Sequence, residues 1–255
     1  FWPAVGRSTV AVLEDAGFRV AIPDGPLCCG RPLYDFGFLD RADRYLGTLL
    51  DRLAPDAAAG VPIVGVEPSC VAVLRDELPK LRPDDPRARQ VAGGTHTLAE
   101  FLLDVAGHEL PRLERRAIVH GHCHQKGSIG MEADFRAFDR MGLDFTELDA
   151  SCCGLAGSFG FEAGEKYEVS VAMGETRLLP AVRAADATTL IVADGFSCRT
   201  QIEHLQRLNG PGPAGHRRAL HLAQLILMAR EHGPDGVARR LLPEQPYVED
   251  ATDAS

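Results

Sequence analysis

Two adjacent cysteine pairs, each closed by a glycine, carry the clearest chemical signal in this sequence: Cys28-Cys29-Gly30 and Cys152-Cys153-Gly154. A single cysteine follows each pair, Cys70 after the first and Cys198 after the second. The seventh cysteine, Cys123, precedes the second pair. Thiols gathered at one point bind a metal or an iron–sulfur cluster, or do redox chemistry. Adjacent cysteines rarely bond each other, and seven is an odd number, so an extracellular disulfide framework fits poorly. A reducing compartment with metal-binding or redox-active thiols fits better. The competing reading is a set of buried, inert thiols. Adjacency and repetition weigh against it for Cys123, Cys152, Cys153 and Cys198, and less so for Cys28, Cys29 and Cys70. Zinc suits a tetrahedral thiolate site as well as iron does.

Three histidines, His120, His122 and His124, alternate around Cys123. Alternate residues of a strand share a face, so all three are expected to reach the thiols. His122 and His124 are candidates for proton handling or for a fourth ligand, and Lys126 for proton handling or for offsetting thiolate charge. Ordinary loop histidines and a surface lysine are the plain alternatives. No catalytic residue is otherwise identified. Glu67 and Asp194 stand at matching places ahead of Cys70 and Cys198, where capping a helix and serving the site are not separable. The glycine-rich run 154–160 lacks the spacing and the G-K-[ST] ending of a phosphate loop. Its glycines are expected to let the chain approach the thiols closely.

Alternating helix and strand signals position these residues. A helix ends over Val10–Ala16 at Gly17, Phe18–Pro23 is a strand, and Cys28-Cys29 follows its end. Leu39–Leu53 is an amphipathic helix with Leu46, Leu49, Leu50 and Leu53 on one face. Pro62–Val66 is a short buried strand, Val71–Glu77 a helix after Cys70, 79–89 a loop, and His96–Val105 a helix. The second half repeats the order: strand Ala117–Val119, helix Phe135–Met141 stopped by Gly142, strand Leu143–Leu148, helix Tyr167–Leu179, strand Thr188–Ala193, helix Arg199–Leu208 and loop 209–216. An internal duplication of about 110–120 residues per copy follows. The expected architecture is α/β, two tandem similar Rossmann-like halves with parallel sheets. The site would lie in the cleft at the strand C-terminal ends, where every cysteine falls just after a strand. Helix N-termini after Cys70 and Cys198 are expected to point N–H groups at the sulfurs. Residues 1–112 form the first repeat, 113–235 the second and 236–255 a polar tail. The sequence starts at Phe1 without methionine, which points to a piece of a longer protein.

Composition limits the alternatives. With 27 Lys and Arg against 36 Asp and Glu, the net charge is −9, which argues against a nucleic-acid surface. No apolar run approaches the roughly 18–20 residues of a membrane span, and no secretory signal is visible.

The phrases LCCGRPLYDFG, GVEPSCVAVLRDELP, HGHCHQK, SCCGLAGSFGFE and ADGFSCRTQIEHL resemble the cysteine-rich "CCG" domain proteins. That family includes the cysteine-rich subunit of heterodisulfide reductase and the iron–sulfur subunits of glycolate, lactate and glycerol-3-phosphate oxidation. The resemblance covers essentially the whole chain. It is closest to the C-terminal module of fused FAD-linked D-2-hydroxyacid dehydrogenases, of the D-lactate, glycolate or D-2-hydroxyglutarate type. It implies an iron–sulfur cluster, [4Fe–4S] by preference with zinc as the alternative, held by Cys123, Cys152, Cys153 and Cys198 and with weaker support by Cys28, Cys29 and Cys70. It also implies FAD in a domain absent from this chain, upstream FAD and ferredoxin-like domains or subunits, and a quinone or electron-carrier protein as partner. The expected location is cytoplasmic, with a peripheral place at the inner face of the membrane as a variant. Two departures from the family pattern stand out: Gln201 and Val73 occupy places where further cysteines are expected. The alternative functions are a structural zinc or iron docking domain without redox turnover, and thiol–disulfide chemistry like that of heterodisulfide reductase.

Overall fold

The computed structural model describes residues 2–150 and 152–236. Its first part runs α1 (Pro3–Asp15), α2 (Arg31–Asp35), α3 (Leu39–Ala58), β1 (Ile63–Gly65), α4 (Pro68–Ala72), α5 (Leu78–Leu81), α6 (Pro86–Gly93), β2 (Thr95–Thr97) and α7 (Leu98–Glu100). Its second part runs β3 (Arg116–Val119), α8 (Glu132–Met141), β4 (Asp144–Glu147), α9 (Glu165–Thr176), α10 (Leu178–Ala184), β5 (Leu190–Val192), α11 (Phe196–Asn209) and α12 (Leu222–His232). Wide π-helical turns continue α4 through Val73–Glu77 and α7 through Phe101–Val105, and a third, Gln125–Ile129, precedes α8.

The strands form two short parallel sheets. β1 pairs with β2, Ile63 opposite Thr95, and β3 lies between β4 and β5. Parallel strands need long crossovers, which the intervening helices supply. The fold is therefore mixed α/β with parallel sheets, as the alternation of signals implies.

Local sequence accounts for the helix ends. Pro3 and Pro86 start α1 and α6 where a missing N–H costs nothing, and the Asp85 side chain accepts from Arg87 N at 3.0 Å. Gly142 ends α8 in the left-handed conformation at φ 78°. In α3 the stripe Ala42, Leu46, Leu49, Leu50 and Ala54 is buried. Its leucines and Ala54 pack with Leu74, Leu78 and Val91 around Cys29.

Several expectations are corrected. Phe18–Pro23 forms no strand: no strand among the described residues pairs with it, and Ile22 is 77% exposed. Phe18 instead packs edge-on against Phe101, centroids 4.9 Å apart. Cys28-Cys29 therefore follows an extended, unpaired segment rather than a strand. Pro62–Val66 shortens to β1, which is only half-buried. His96 lies on β2, not in the following helix. The expected loop 79–89 is mostly helix, because Pro79 and Pro86 each sit in the first turn of one. The helices carrying Cys70 and Cys198 start earlier than expected, so both cysteines lie inside the first turn. Tail residues beyond Gly236 fall outside the described residues.

The largest core does not respect a boundary near residue 112. Val12 and Leu13 of α1 and Leu98–Leu103 join Leu113, Val119, Phe138, Met141, Leu190 and the inner face of α12 in one cluster. A second cluster under β5 contains Cys153 and Cys198 with Leu178, Leu179 and Ile202.

Asp134, 3% exposed in the first turn of α8, accepts from Gln125 Nε2 at 2.7 Å. Burial, and then the charge of Asp194, push its carboxyl well above the ordinary range. The folded state thus holds a proton that the unfolded chain releases near pH 4. Stability attributable to this group is present below that pH and is lost as pH rises toward the raised value. Asp134→Asn keeps an acceptor for Gln125 without the charge. Its stability relative to the parent should grow above pH 4 by on the order of 1.4 kcal/mol per pH unit. Urea unfolding at a series of pH values measures it, and a pH-independent difference would refute the assignment.

Candidate metal centre

Both glycine-closed pairs make the same turn. Gly30 N donates to Cys28 Sγ at 3.4 Å, and Gly154 N donates to Cys152 Sγ at 3.3 Å. The glycines sit at φ 76° and 97°, which an L side chain rarely adopts. At Gly154 a Cβ would also meet Ser170 O at 2.2 Å, so α9 closes directly over the turn. Cys70 and Cys198 match as well, each being the third residue of its helix.

The sulfurs fall into two sets. In the first, Cys29 Sγ lies 3.0 Å from Cys70 Sγ, and Cys28 is linked to Cys29. The Cys28 thiol is pushed up by the Cys29 thiol and by burial. Cys29 is pulled down by Cys28 but lifted more by Cys70 and by burial, to about 12. The adjacent pair of this set therefore holds its protons.

In the second set Cys123 is linked to Cys152, Cys152 to Cys153, and Cys153 to Cys198. Interaction with the Cys123 and Cys153 thiols brings Cys152 down to about 2, helped by Gly154 N–H. Cys198, fully buried, is held well below the ordinary thiol range by Cys153 and then by His120. Cys123 and Cys153 are correspondingly raised by the neighbours to which they donate, and by burial. The four sulfurs are linked in a row from Cys123 to Cys198, and they suffice in number for a thiolate metal site or an iron–sulfur cluster. Cys123 is exposed at one end of the row, while Cys153 and Cys198 are buried.

All three histidines lie near the thiols, though not by alternating along one strand face. His120 N donates to Val192 O at 2.8 Å and prolongs β3, but the chain then turns into the helical segment that carries Cys123. His120, 2% exposed, lies against Cys198, and neither ring nitrogen has a hydrogen-bond partner. His122 is engaged elsewhere: Nδ1 accepts from His124 N at 3.2 Å, and Nε2 faces Ser197 Oγ at 3.3 Å and Glu67 Oε1 at 3.8 Å. The ligating atoms of His122, Cys123 and His124 still lie within 4.8 Å of one another. His124 Nδ1 is buried without a partner, and burial, with the Arg31 charge, lowers its basicity. Lys126 Nζ donates to Ala150 O at 2.8 Å and so anchors the chain leading to the second pair. Gln201 Nε2 donates to Ser170 O and Oγ, both 3.1 Å, while its Oε1 is buried without a partner among the described residues, and Val73 is core.

The two sets are neighbours: α4, which carries Cys70, packs on the turn Gln125–Ile129 just after Cys123. Glu67 crosses between them. Its carboxylate accepts from Phe196 N at 2.6 Å, capping α11, and from Ser69 Oγ at 2.9 Å. Asp194 does the matching task for α12, accepting from Leu222 N at 2.9 Å, while His221 Nε2 reaches Val66 O at 3.1 Å. Each acid therefore caps a helix other than the one it precedes. Arg199 and Arg31 lie beside the site, and sequence spacing does not select them. Arg31 pairs with Asp35 at 3.1 Å and with Glu77.

Removing the crossing cap should be measurable. Glu67→Ala should cost about 1–2 kcal/mol in denaturant unfolding, while Glu67→Gln, which keeps an oxygen for Phe196 N, should lose clearly less. Equal losses in the two variants would exclude a capping role.

Comparison with known proteins gives the family. A family model described as "Cysteine-rich domain" matches residues 2–75. Lactate utilization protein A of Bacillus velezensis is 31% identical over 204 residues, 76% of this chain and 82% of that protein. Lactate utilization protein A of Geobacillus kaustophilus is 31% identical over 237 residues, 89% and 93% of the two chains. A subunit of the anaerobic glycerol-3-phosphate dehydrogenase of Escherichia coli K12 is 30% identical over 205 residues, 79% of this chain but 51% of that longer protein. With relatives of this identity matched over most of their length, the chain belongs to the cysteine-rich (CCG) domain family.

Proposed function

We propose that this chain is an iron–sulfur electron-transfer module of a larger oxidoreductase, serving the oxidation of a small 2-hydroxyacid such as lactate. The observation that carries the reading is the linked four-sulfur set Cys123, Cys152, Cys153 and Cys198. Relatives named for lactate utilization and as part of a glycerol-3-phosphate dehydrogenase support the reaction class. A cluster held there would supply one-electron transfer between a flavin-bearing partner and a quinone or other carrier. The chain's own contribution is to hold the sulfurs. Gly154 N–H donates to Cys152, Gly195 lets His122 and Cys198 approach, and Lys126 fixes the loop before the pair. Exposure of Cys123 leaves one edge of the set open to a partner. The sequence boundaries 1–112 and 113–235 describe the two cysteine sets, although α1 shares its core with α12. No helix among the described residues is long and apolar enough to cross a membrane.

The test is anaerobic purification with iron, sulfide and zinc analysis, followed by EPR of oxidised and reduced samples. Iron with acid-labile sulfide, a redox-dependent signal and their loss in Cys153→Ser are expected. Zinc without sulfide would favour a structural docking domain instead. Full iron content in Cys153→Ser would remove the ligand assignment, and hydroxyacid turnover by this chain without flavin would contradict the division of labour.

A further inference from the structure

The first sulfur set contains a contact that the proposed function does not use. Cys29 Sγ and Cys70 Sγ lie 3.0 Å apart, although 41 residues separate them in sequence. A disulfide bond is about 2.0 Å long, so the two sulfurs need approach by only about 1 Å to form one. Packing holds them in place. Cys29 is buried in a cluster with Leu46, Leu49, Leu74 and Leu78, and Cys70 packs against the same cluster. Arg31, 6% exposed, follows the first pair, and its guanidinium pairs with Glu77 on the helical turn that continues α4 beyond Cys70. An ion pair as well as the core therefore braces the loop of the pair against the helix of Cys70. The third thiol does not compete. Cys28 adjoins Cys29, and adjacent cysteines bond each other only with strain. Cys28 is exposed and Cys70 partly so, while Cys29 is buried.

We propose that Cys29 and Cys70 are a reversible dithiol–disulfide pair, a redox-sensitive switch in the first sulfur set that is separate from the centre at Cys123, Cys152, Cys153 and Cys198. The oxidant is a small-molecule disulfide, RSSR. The partly exposed Cys70 sulfur attacks one sulfur of RSSR, and its proton passes through solvent to the departing thiolate, which leaves as RSH. The Cys29 sulfur then attacks the Cys70 sulfur of the mixed disulfide, and its proton goes to the second RSH. Cys29, whose thiol holds its proton, completes the reaction rather than starting it. Two protein thiols are oxidised to one disulfide, RSSR is reduced to two thiols, and the reverse exchange restores the dithiol. The bond closes the chain around α2, α3 and β1 and leaves Cys28 as the one thiol of the set. A metal site needs deprotonated thiols, so the oxidised first set cannot gather ligands for one. In a reducing environment such a bond is transient and reports the thiol–disulfide balance.

The test incubates the whole chain anaerobically with oxidised glutathione, quenches with acid and alkylates the remaining thiols. Iron and zinc are assayed in the same samples. Mass spectrometry of tryptic peptides under non-reducing conditions should show a cross-link between the peptide of the first pair and the Cys70 peptide, and dithiothreitol should remove it. Cys28→Ser should keep this cross-link, and Cys29→Ser and Cys70→Ser should each abolish it. Circular dichroism checks the fold, and if the last two variants fail to fold, persistence of the link in Cys28→Ser still assigns it to Cys29. Cys153→Ser, which disturbs only the second set, should form the link as the parent does, so the result is independent of what that set holds. Complete alkylation of Cys29 and Cys70 after the oxidant, or a cross-link that disappears in Cys28→Ser, would overturn the pair. A metal that shields both thiols from the oxidant, is lost in Cys70→Ser and is kept in Cys153→Ser would overturn the switch in favour of a metal site at the first set.

Discussion

The carboxylate of Glu67 holds the two thiol sets in one frame. It leaves the loop before Cys70, crosses to the start of α11 and accepts from Phe196 N two residues before Cys198. A hydrogen bond to a charged acceptor is worth about 1.5–3 kcal/mol, and burial pushes this carboxyl up, so the contact is retained against a desolvation cost. The reverse crossing runs through His221, whose ring is placed by Ala223 N at 3.1 Å and reaches back to Val66 O. The loops that carry Cys70 and Cys198 are thus tied to each other by polar groups. Apolar packing alone would fix them less sharply, since it is tolerant of small shifts. Sulfur positions in a metal site are not.

The two pairs share one turn geometry, with the same glycine N–H to sulfur contact. Their matching second cysteines, Cys29 and Cys153, are both raised by neighbouring thiols and by burial. The first cysteines differ: Cys28 is raised by Cys29, whereas Cys152 is lowered by Cys123, whose counterpart is missing from the first set among the described residues. A thiolate is what binds metal, so both sets must lose protons to take one.

Much of the arrangement is written in local sequence, and the parts that are not share a cause. The glycine turns, the α8 stop at Gly142, the amphipathic α3 and the strands flanking Cys123, Cys152-Cys153 and Cys198 follow from short-range signals. Phe18–Pro23 has the composition of a strand, but composition cannot supply the pairing that a strand requires, and no strand among the described residues pairs with it. The alternating histidines do lie near the thiols, but not through a shared strand face, because the chain turns helical at Cys123. Glu67 and Asp194 are recognisable as caps from their positions, but the helices they cap lie across the site, which is a tertiary choice. His120 belongs to the alternating histidines, whereas Arg199 carries no pattern of its own. Arg199 becomes visible only as a buried group with an unpaired nitrogen.

The inequality of the two cysteine pairs has its origin in the sheets. Cys123 stands just beyond β3, the middle strand of three, with β4 leading to Cys152-Cys153 on one side and β5 leading to Cys198 on the other. Parallel strands deliver their ends to one edge, so three adjacent strand ends bring four sulfurs together. The first sheet has two strands among the described residues, and of these only β1 leads to a cysteine, Cys70. Its pair arrives from an unpaired segment, and no middle strand presents a fourth sulfur. Duplicated turns are therefore not accompanied by equal sulfur sets. The sulfur count at each pair is set by how many strand ends converge there.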